Sequence, residues 1–109
     1  MDTPPSGEGP VTFINIIDIA EDEIDTFVSR WKERSRFTTP AEGFISAELF
    51  RALDTDTRFK VVNITKWESR AHFQAAIQAP DFRAELDGYE QSSTWTPHRG
   101  FYGTAAKFD

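Results

Sequence analysis

The chain has 109 residues, of which 39% are hydrophobic and 14% aromatic, and it contains no cysteine. This length and composition predict one ordered globular domain, with no disulfide and no thiolate metal site. The formal net charge of -6, with scattered Lys and Arg, argues against a nucleic-acid partner, because such surfaces need clustered cations. No run of about 18 apolar residues and no signal-peptide pattern is visible, so we expect a cytoplasmic protein that does not enter membranes.

The N-terminal segment 1–10 holds three of the six prolines and is predicted to be a disordered tail before a single domain over 11–109. The apolar run Val11–Ile19 predicts a strand that is buried on both faces. Asn15 is the uncharged polar residue at its centre. Period-2 geometry places Asn15 on the same face as Phe13 and Ile17.

The segment from Glu21 to about Phe37 has helical periodicity. Its apolar stripe consists of Ile24, Phe27, Val28 and Trp31. Acidic residues lie in the first turns and basic residues in the last, which complements the dipole of a helix.

Two predicted strands, Phe44–Leu53 and Arg58–Trp67, flank the turn sequence Asp54–Thr57 and form a hairpin. Ser69 is suited to cap a second helix, since Ser is a preferred N-cap residue. The remaining predictions are apolar positions Phe73, Ala76 and Ile77 on that helix, a short helix over Phe82–Leu86, a loop over Gln91–Pro97 and a last strand over Gly100–Phe108.

The resulting order is strand, helix, strand, strand, helix, strand. It predicts an α+β, ferredoxin-like protomer with four antiparallel strands in the order 4-1-3-2 and both helices on one face. The first and third strands are then neighbours, which brings Asn15 and Asn63 onto adjacent strands. The face of these strands away from the helices is also apolar, so we expect a homodimer in which a second sheet covers it.

The third strand carries the most informative pattern in the chain. Asn63, Thr65 and Trp67 are two residues apart and therefore share one face of the sheet. An amide that can bind an oxygen, beside an indole that can stack on a flat ring, predicts a site for an oxygenated aromatic molecule. Asn15, Phe27, Trp31 and Phe73 are the candidate residues for the rest of its wall.

Structural roles explain the same residues without a ligand. Each amide could instead bond a loop backbone and fix strand register, and Trp67 could be a core residue at a strand end. Phe27, Trp31 and Phe73 could simply pack helices against the sheet. His72 and His98 have no spacing that builds a metal site, and no nucleotide-binding or nucleophile motif is present.

The span Val11–Phe108 resembles the antibiotic biosynthesis monooxygenase family of dimeric α+β barrels. The resemblance is carried by Gly43–Ala47 and above all by Val62–Ser69 followed by Phe73. Within the family it is most similar to the quinone-forming enzymes of aromatic polyketide pathways. That resemblance implies oxidation of an anthrone-like aromatic substrate by O2 as co-substrate, without flavin, haem or metal.

The resemblance also implies roles for two residues. Asn63 would stabilise the anion of the deprotonated substrate, and Trp67 would orient O2 and the peroxide intermediate. The chain has Phe73 where these enzymes have a Tyr, and Asp87 approximately where they have an Arg. A non-oxidative ligand-binding member of the same fold is the alternative.

A related branch of the family degrades haem with a first-strand Asn, which Asn15 matches. Ala76 and Glu85 occupy the positions of its Trp and its iron-binding His, so haem degradation is a distant third hypothesis.

Overall fold

A computed structural model describes residues 9–90 and 95–109. Its elements are β1 (Val11–Asp18), a 3-10 turn (Glu21–Glu23), α1 (Ile24–Thr38), β2 (Phe44–Arg51), β3 (Val61–Trp67), α2 (Arg70–Ile77), α3 (Pro80–Glu90) and β4 (Thr96–Tyr102). The four strands form one antiparallel sheet in the order β2-β3-β1-β4, which is the predicted order counted from the other edge. The α+β, ferredoxin-like fold is confirmed.

Local sequence explains where these elements begin and end. Ser69 caps α2, since its hydroxyl accepts a hydrogen bond from the backbone N–H of His72 at 3.2 Å. Phe13, Asn15 and Ile17 share one face of β1, as predicted, and are buried. The other face of β1 is only partly buried among the described residues, whereas burial on both faces was predicted. The helix predicted from Glu21 starts as a 3-10 turn and becomes α-helical at Ile24.

The buried face of the sheet carries two apolar clusters. The isoleucine cluster consists of Ile17, Ile19, Ile24, Phe27 and Val61. The aromatic cluster consists of Phe13, Trp67, Phe73 and Ala76. Within the aromatic cluster the rings of Phe13 and Phe73 stack with centroids 4.6 Å apart. The candidate site lies between the two clusters.

The sequence prediction for the C-terminal strand is wrong in position. β4 runs over Thr96–Tyr102 rather than Gly100–Phe108. Its bounds are set by its pairing with β1, which begins with Thr96 opposite Asp18 and ends with Tyr102 opposite Thr12. Pro97 is tolerated because β4 is an edge strand. Residues 103–109 continue past β1 without strand structure.

Three further elements differ from the prediction in their boundaries. The third helix extends over Pro80–Glu90 instead of Phe82–Leu86, since proline is favoured in the first helical turn and does not end this helix. β2 ends at Arg51 and β3 begins at Val61, so the hairpin connection is longer than expected. The predicted tail falls largely on 1–8, and most of the predicted loop falls on 91–94; both segments lie outside the described residues.

Candidate active site

Three polar residues stand side by side across the centre of the sheet. Asn63 on β3 is directly opposite Asn15 on β1, and Asn15 is directly opposite Arg99 on β4. We call Asn63, Asn15 and Arg99 the polar row. The pair Ile17 and Val61 precedes this row in the β1–β3 ladder. The polar row therefore lies next to an apolar pair on the same face of the sheet.

A cavity of about 120 Å³ lies over this row, between the sheet and the helices. All six residues predicted from the sequence contribute to its wall: Asn15, Phe27, Trp31, Asn63, Trp67 and Phe73. The fold thus brings together side chains from β1, α1, β3 and α2. Their roles toward a ligand remain predictions.

The amide of Asn63 has a defined orientation. The indole Nε1–H of Trp31 donates to Asn63 Oδ1 at 3.1 Å. Because an indole N–H can only donate, the atom that faces it must be the amide oxygen. The Asn63 NH2 group is therefore the part of the amide that remains for other partners, and it can only donate.

Trp67 is almost fully buried, with 1% of its surface exposed. Its ring meets those of Phe44 and Phe73 edge-on, with centroid distances of 5.4 and 5.8 Å. Its Nε1–H donates to the hydroxyl of Thr65 at 3.2 Å, so this N–H is already engaged within the wall. Thr65 also lines the cavity, and its own hydroxyl proton remains to be donated elsewhere.

Asn15 differs from Asn63 in its hydrogen bonding. The residue is 9% exposed, and its Oδ1 atom has no hydrogen-bond partner among the residues that the structure describes. A buried amide oxygen without a partner costs roughly 1–3 kcal/mol. Since Asn15 lines the cavity, a bound hydroxyl or water can supply the missing donor.

Sequence analysis missed three arginines of the wall: Arg34 on α1, Arg83 on α3 and Arg99 on β4. For two of them, the sequence contains a pattern that could have placed the residue in the wall. Arg34 continues the apolar stripe of α1 at helical spacing, and Arg83 lies one turn before Asp87, where the family pattern suggested an Arg. Arg99 was missed because the last strand was placed too late to include it.

All the ionisable side chains that the structure describes in the wall are therefore arginines. Arg34 is 8% exposed, and its guanidinium lies over the ring of Phe27, 5.6 Å from the centroid. No Asp or Glu lines the cavity within 9–90 and 95–109, apart from the side chains at 85, 87 and 90 that the structure does not describe. The same described ranges contain no group of three or more His, Cys, Asp or Glu that could hold a metal ion.

The ferredoxin-like sheet with a cavity between sheet and helices defines a class of small α+β proteins, and the sequence places the chain within it. Residues 10–86 match the model of the antibiotic biosynthesis monooxygenase family, and the chain belongs to this family. No protein of curated function matches significantly. None of the described helices is long and apolar enough to cross a membrane.

Solved structures share this fold at low sequence identity. A protein from Shewanella loihica is 22% identical, with a TM-score of 0.75 and 91% of this chain aligned to 97% of that one. SnoaB from Streptomyces nogalater, a cofactor-independent oxygenase, is 24% identical, with a TM-score of 0.70 and 91% aligned to 96%. Rv0793 from Mycobacterium tuberculosis is 14% identical, with a TM-score of 0.73 and 93% aligned to 100%.

Proposed function

We propose that the protein is a cofactor-independent monooxygenase that oxidises an anthrone-like aromatic substrate with O2 to a quinone. The observation that carries the proposal is the amide of Asn63, whose oxygen accepts from Trp31 and whose NH2 group remains to donate beside Trp67 in one cavity. A donor fixed in this way suits an oxygen that gains negative charge during reaction. The fold shared with SnoaB, a cofactor-independent oxygenase, agrees with the proposal.

The proposed reaction balances without an external reductant. The ring CH2 group of the anthrone loses two hydrogens and gains one oxygen atom as the new quinone carbonyl. The second oxygen atom of O2 leaves as water with those two hydrogens. All electrons come from the substrate, so the protein has to favour the substrate anion that gives its electrons to O2.

The described wall is suited to stabilising an anion rather than to removing a proton. Outside the side chains that the structure leaves undescribed, it contains no Asp, Glu, His, Lys or Tyr. It instead presents guanidinium groups and the NH2 group of Asn63. Such groups favour the ionised form of a phenol or enol, because hydrogen bonds and positive charge stabilise the anion. Water can then accept the proton.

Trp67, Thr65 and the aromatic residues have supporting roles in this proposal. The Nε1–H of Trp67 is donated to Thr65, so Trp67 would orient O2 and the peroxide through its ring, and Thr65 would supply the hydroxyl donor. Phe27, Trp31 and Phe73 would hold the flat substrate between sheet and helices. Asn15 would accept a hydrogen bond from a substrate hydroxyl.

The proposal includes a homodimer and a cytoplasmic location. On the sheet face away from the helices, Phe50 on β2 is 44% exposed and pairs with Val62 on β3, which pairs with Ile16 on β1. A second sheet would cover this apolar row. A chain without cysteine is compatible with a reducing compartment.

Turnover of a model anthrone tests the proposal, with O2 uptake and quinone absorbance followed together in enzyme freed of metal by chelation. We expect one O2 consumed per quinone formed. Asn63→Ala should lower turnover by about 10²–10³-fold, as for other lost oxyanion donors. Trp67→Phe keeps a ring and should lower turnover less. Wild-type turnover in Asn63→Ala would contradict the proposal.

A non-oxidative ligand-binding protein is the second candidate function. It is favoured by the lack of a described proton acceptor in the wall and by Phe73 in place of a Tyr. This candidate predicts that aromatic ligands bind without O2 consumption. Absence of turnover together with tight binding would make it the better account.

A further inference from the structure

A groove lies between α1 and the edge strand β2, separate from the cavity over the polar row. We call it the β2 groove. Five of its eight lining residues are apolar, and the three charged ones are exposed. The apolar residues that belong to the groove alone are Val28 on α1 and Leu49 and Phe50 on β2. Because β2 is at the edge of the sheet, no described strand lies between this groove and solvent.

Two residues line both the β2 groove and the cavity. They are Trp31 on α1 and Ala47 on β2, and no other described residue is shared. The side chains that separate the two spaces are therefore one indole ring and one methyl group. Since a methyl group fills little volume, the position of the Trp31 ring decides whether the groove and the cavity are connected.

One hydrogen bond holds the Trp31 ring in this position. Its Nε1–H donates to Asn63 Oδ1 at 3.1 Å, and the ring packs on the edge of the isoleucine cluster. Trp31 is only partly buried, so its outer side is not enclosed by the described core. A neutral hydrogen bond changes an equilibrium by a factor of about five. This factor is small enough that the ring can leave the partition from time to time.

The inner side of the partition faces Thr65 and Trp67. Ala47 is directly opposite Thr65 in the β2–β3 ladder, and Thr65 lines the cavity. Residues opposite each other on antiparallel strands have Cβ atoms about 5 Å apart. The hydroxyl of Thr65 accepts a hydrogen bond from the indole N–H of Trp67 at 3.2 Å. A molecule that passes between Trp31 and Ala47 therefore arrives at the Thr65–Trp67 pair.

We propose that the β2 groove is the entrance for O2 and that Trp31 and Ala47 form a gate that limits the size of what enters. This inference rests on the proposed function, in which Thr65 and Trp67 act on O2. O2 is small and uncharged, so it partitions from water into an apolar groove. A polycyclic aromatic molecule is much larger and requires a wider opening. O2 can then enter through the gate while the aromatic substrate occupies the cavity.

Labelling of an engineered cysteine tests the gate without requiring turnover. The chain has no cysteine, so Thr65→Cys introduces a single thiol on the inner side of the gate. Methyl methanethiosulfonate is a small uncharged reagent, and mass spectrometry follows its reaction with this thiol. In the Thr65→Cys background, Trp31→Phe should speed labelling about fivefold, because the hydrogen bond that holds the ring is lost. Ala47→Leu should slow it by a similar factor, because the larger side chain fills the gate.

Val28→Ala is the matched control. Val28 is on α1 three residues before Trp31 and lines the groove but not the cavity, so its replacement removes apolar volume outside the gate. Its labelling rate should equal that of the Thr65→Cys parent. Unchanged rates in both Trp31→Phe and Ala47→Leu would show that the reagent enters elsewhere and would overturn the inference. Labelling rates that follow the free energy of unfolding of each variant in urea would overturn it as well, because they would indicate entry by global unfolding.

Failure of this inference and failure of the proposed function give different results. With a model anthrone, Ala47→Leu should raise the KM for O2 more than the KM for the anthrone. Turnover with an unchanged KM for O2 in this variant would retain the monooxygenase and overturn the entrance. Gate-dependent labelling without oxidation of any anthrone would overturn the proposed function and retain the gate as an entrance to a ligand-binding cavity.

Discussion

At the scale of single residues, two asparagines that face each other across β1 and β3 differ in their hydrogen bonds. The side-chain oxygen of Asn63 accepts a hydrogen bond from the indole N–H of Trp31, whereas the oxygen of Asn15 has no described partner. The first is held in place as a donor, and the second is an acceptor that a ligand can satisfy. This difference leads to one prediction on turnover and one on stability.

Trp31→Phe should weaken turnover by freeing the amide of Asn63 to rotate. The ring remains to pack against the sheet, but the N–H that holds Oδ1 is lost. A neutral hydrogen bond contributes about 1 kcal/mol, so we expect turnover to fall about five- to tenfold, less than in Asn63→Ala. In an Asn63→Ala background the same change should have almost no further effect. A full additional loss there would show that Trp31 acts by packing alone.

Asn15→Leu should stabilise the free protein while it weakens ligand binding. Leu removes a buried oxygen that has no described partner, and we expect the free energy of unfolding to rise by about 1 kcal/mol. Asn63→Leu is the contrasting variant, because it leaves the Trp31 N–H without an acceptor and should lower stability. Urea unfolding measures both. A destabilised Asn15→Leu would indicate a structural role for this amide.

At the scale of elements, the connection from α1 to β2 positions the end of β3. Gly43 has a positive φ of 86°, and its carbonyl accepts from the backbone N–H of Glu68 at 2.8 Å. A Cβ at Gly43 would overlap the ring of His72 on α2. This glycine therefore allows β2, the end of β3 next to Trp67 and the start of α2 to meet closely.

Gly43→Ala should destabilise the fold by more than about 1 kcal/mol, since alanine is disfavoured at positive φ and also meets His72. Thermal unfolding followed by circular dichroism measures the effect. Adding His72→Ala should relieve the overlap and recover only part of the loss, because the backbone conformation is unchanged. Complete recovery would assign the whole effect to the overlap.

At the scale of the whole molecule, the sheet has one face covered by helices and one that no described element covers. The uncovered face carries Ile14, Ile16, Val62 and Ile64 at intermediate burial, with Phe50 at its edge. These residues are adjacent in the ladders of β1, β2 and β3 and form one continuous apolar surface. Exposed apolar residues on a monomer are normally scattered, so a continuous apolar surface indicates an interaction site.

We expect a homodimer through this face, with a dimer mass in light scattering at micromolar concentration. Val62→Lys places a charge at the centre of the apolar face and should shift the protein to monomer. Leu53→Lys is the control, since Leu53 is 99% exposed after the end of β2 and should not affect association. A monomeric wild type would contradict this part of the proposal.

The sequence by itself determined the order of elements, the strand order and the shared face of Asn63, Thr65 and Trp67. The elements and the shared face follow from local periodicity, because side chains alternate along a strand and recur every 3.6 residues on a helix. The strand order follows from the connection rules for this order of elements. The same periodicity placed Phe27 and Trp31 on the buried side of α1. The strand order predicted that Asn15 and Asn63 lie on neighbouring strands.

Tertiary structure alone decided which groups meet within the site. The Trp31 hydrogen bond to Asn63 depends on how α1 packs on the sheet, and the place of Arg99 beside Asn15 depends on the register of β4. Arg83 reaches the cavity because α3 packs against α1. Contacts between residues far apart in the chain depend on packing and register, which local patterns do not specify, so the three arginines of the cavity wall were found only in the folded protein.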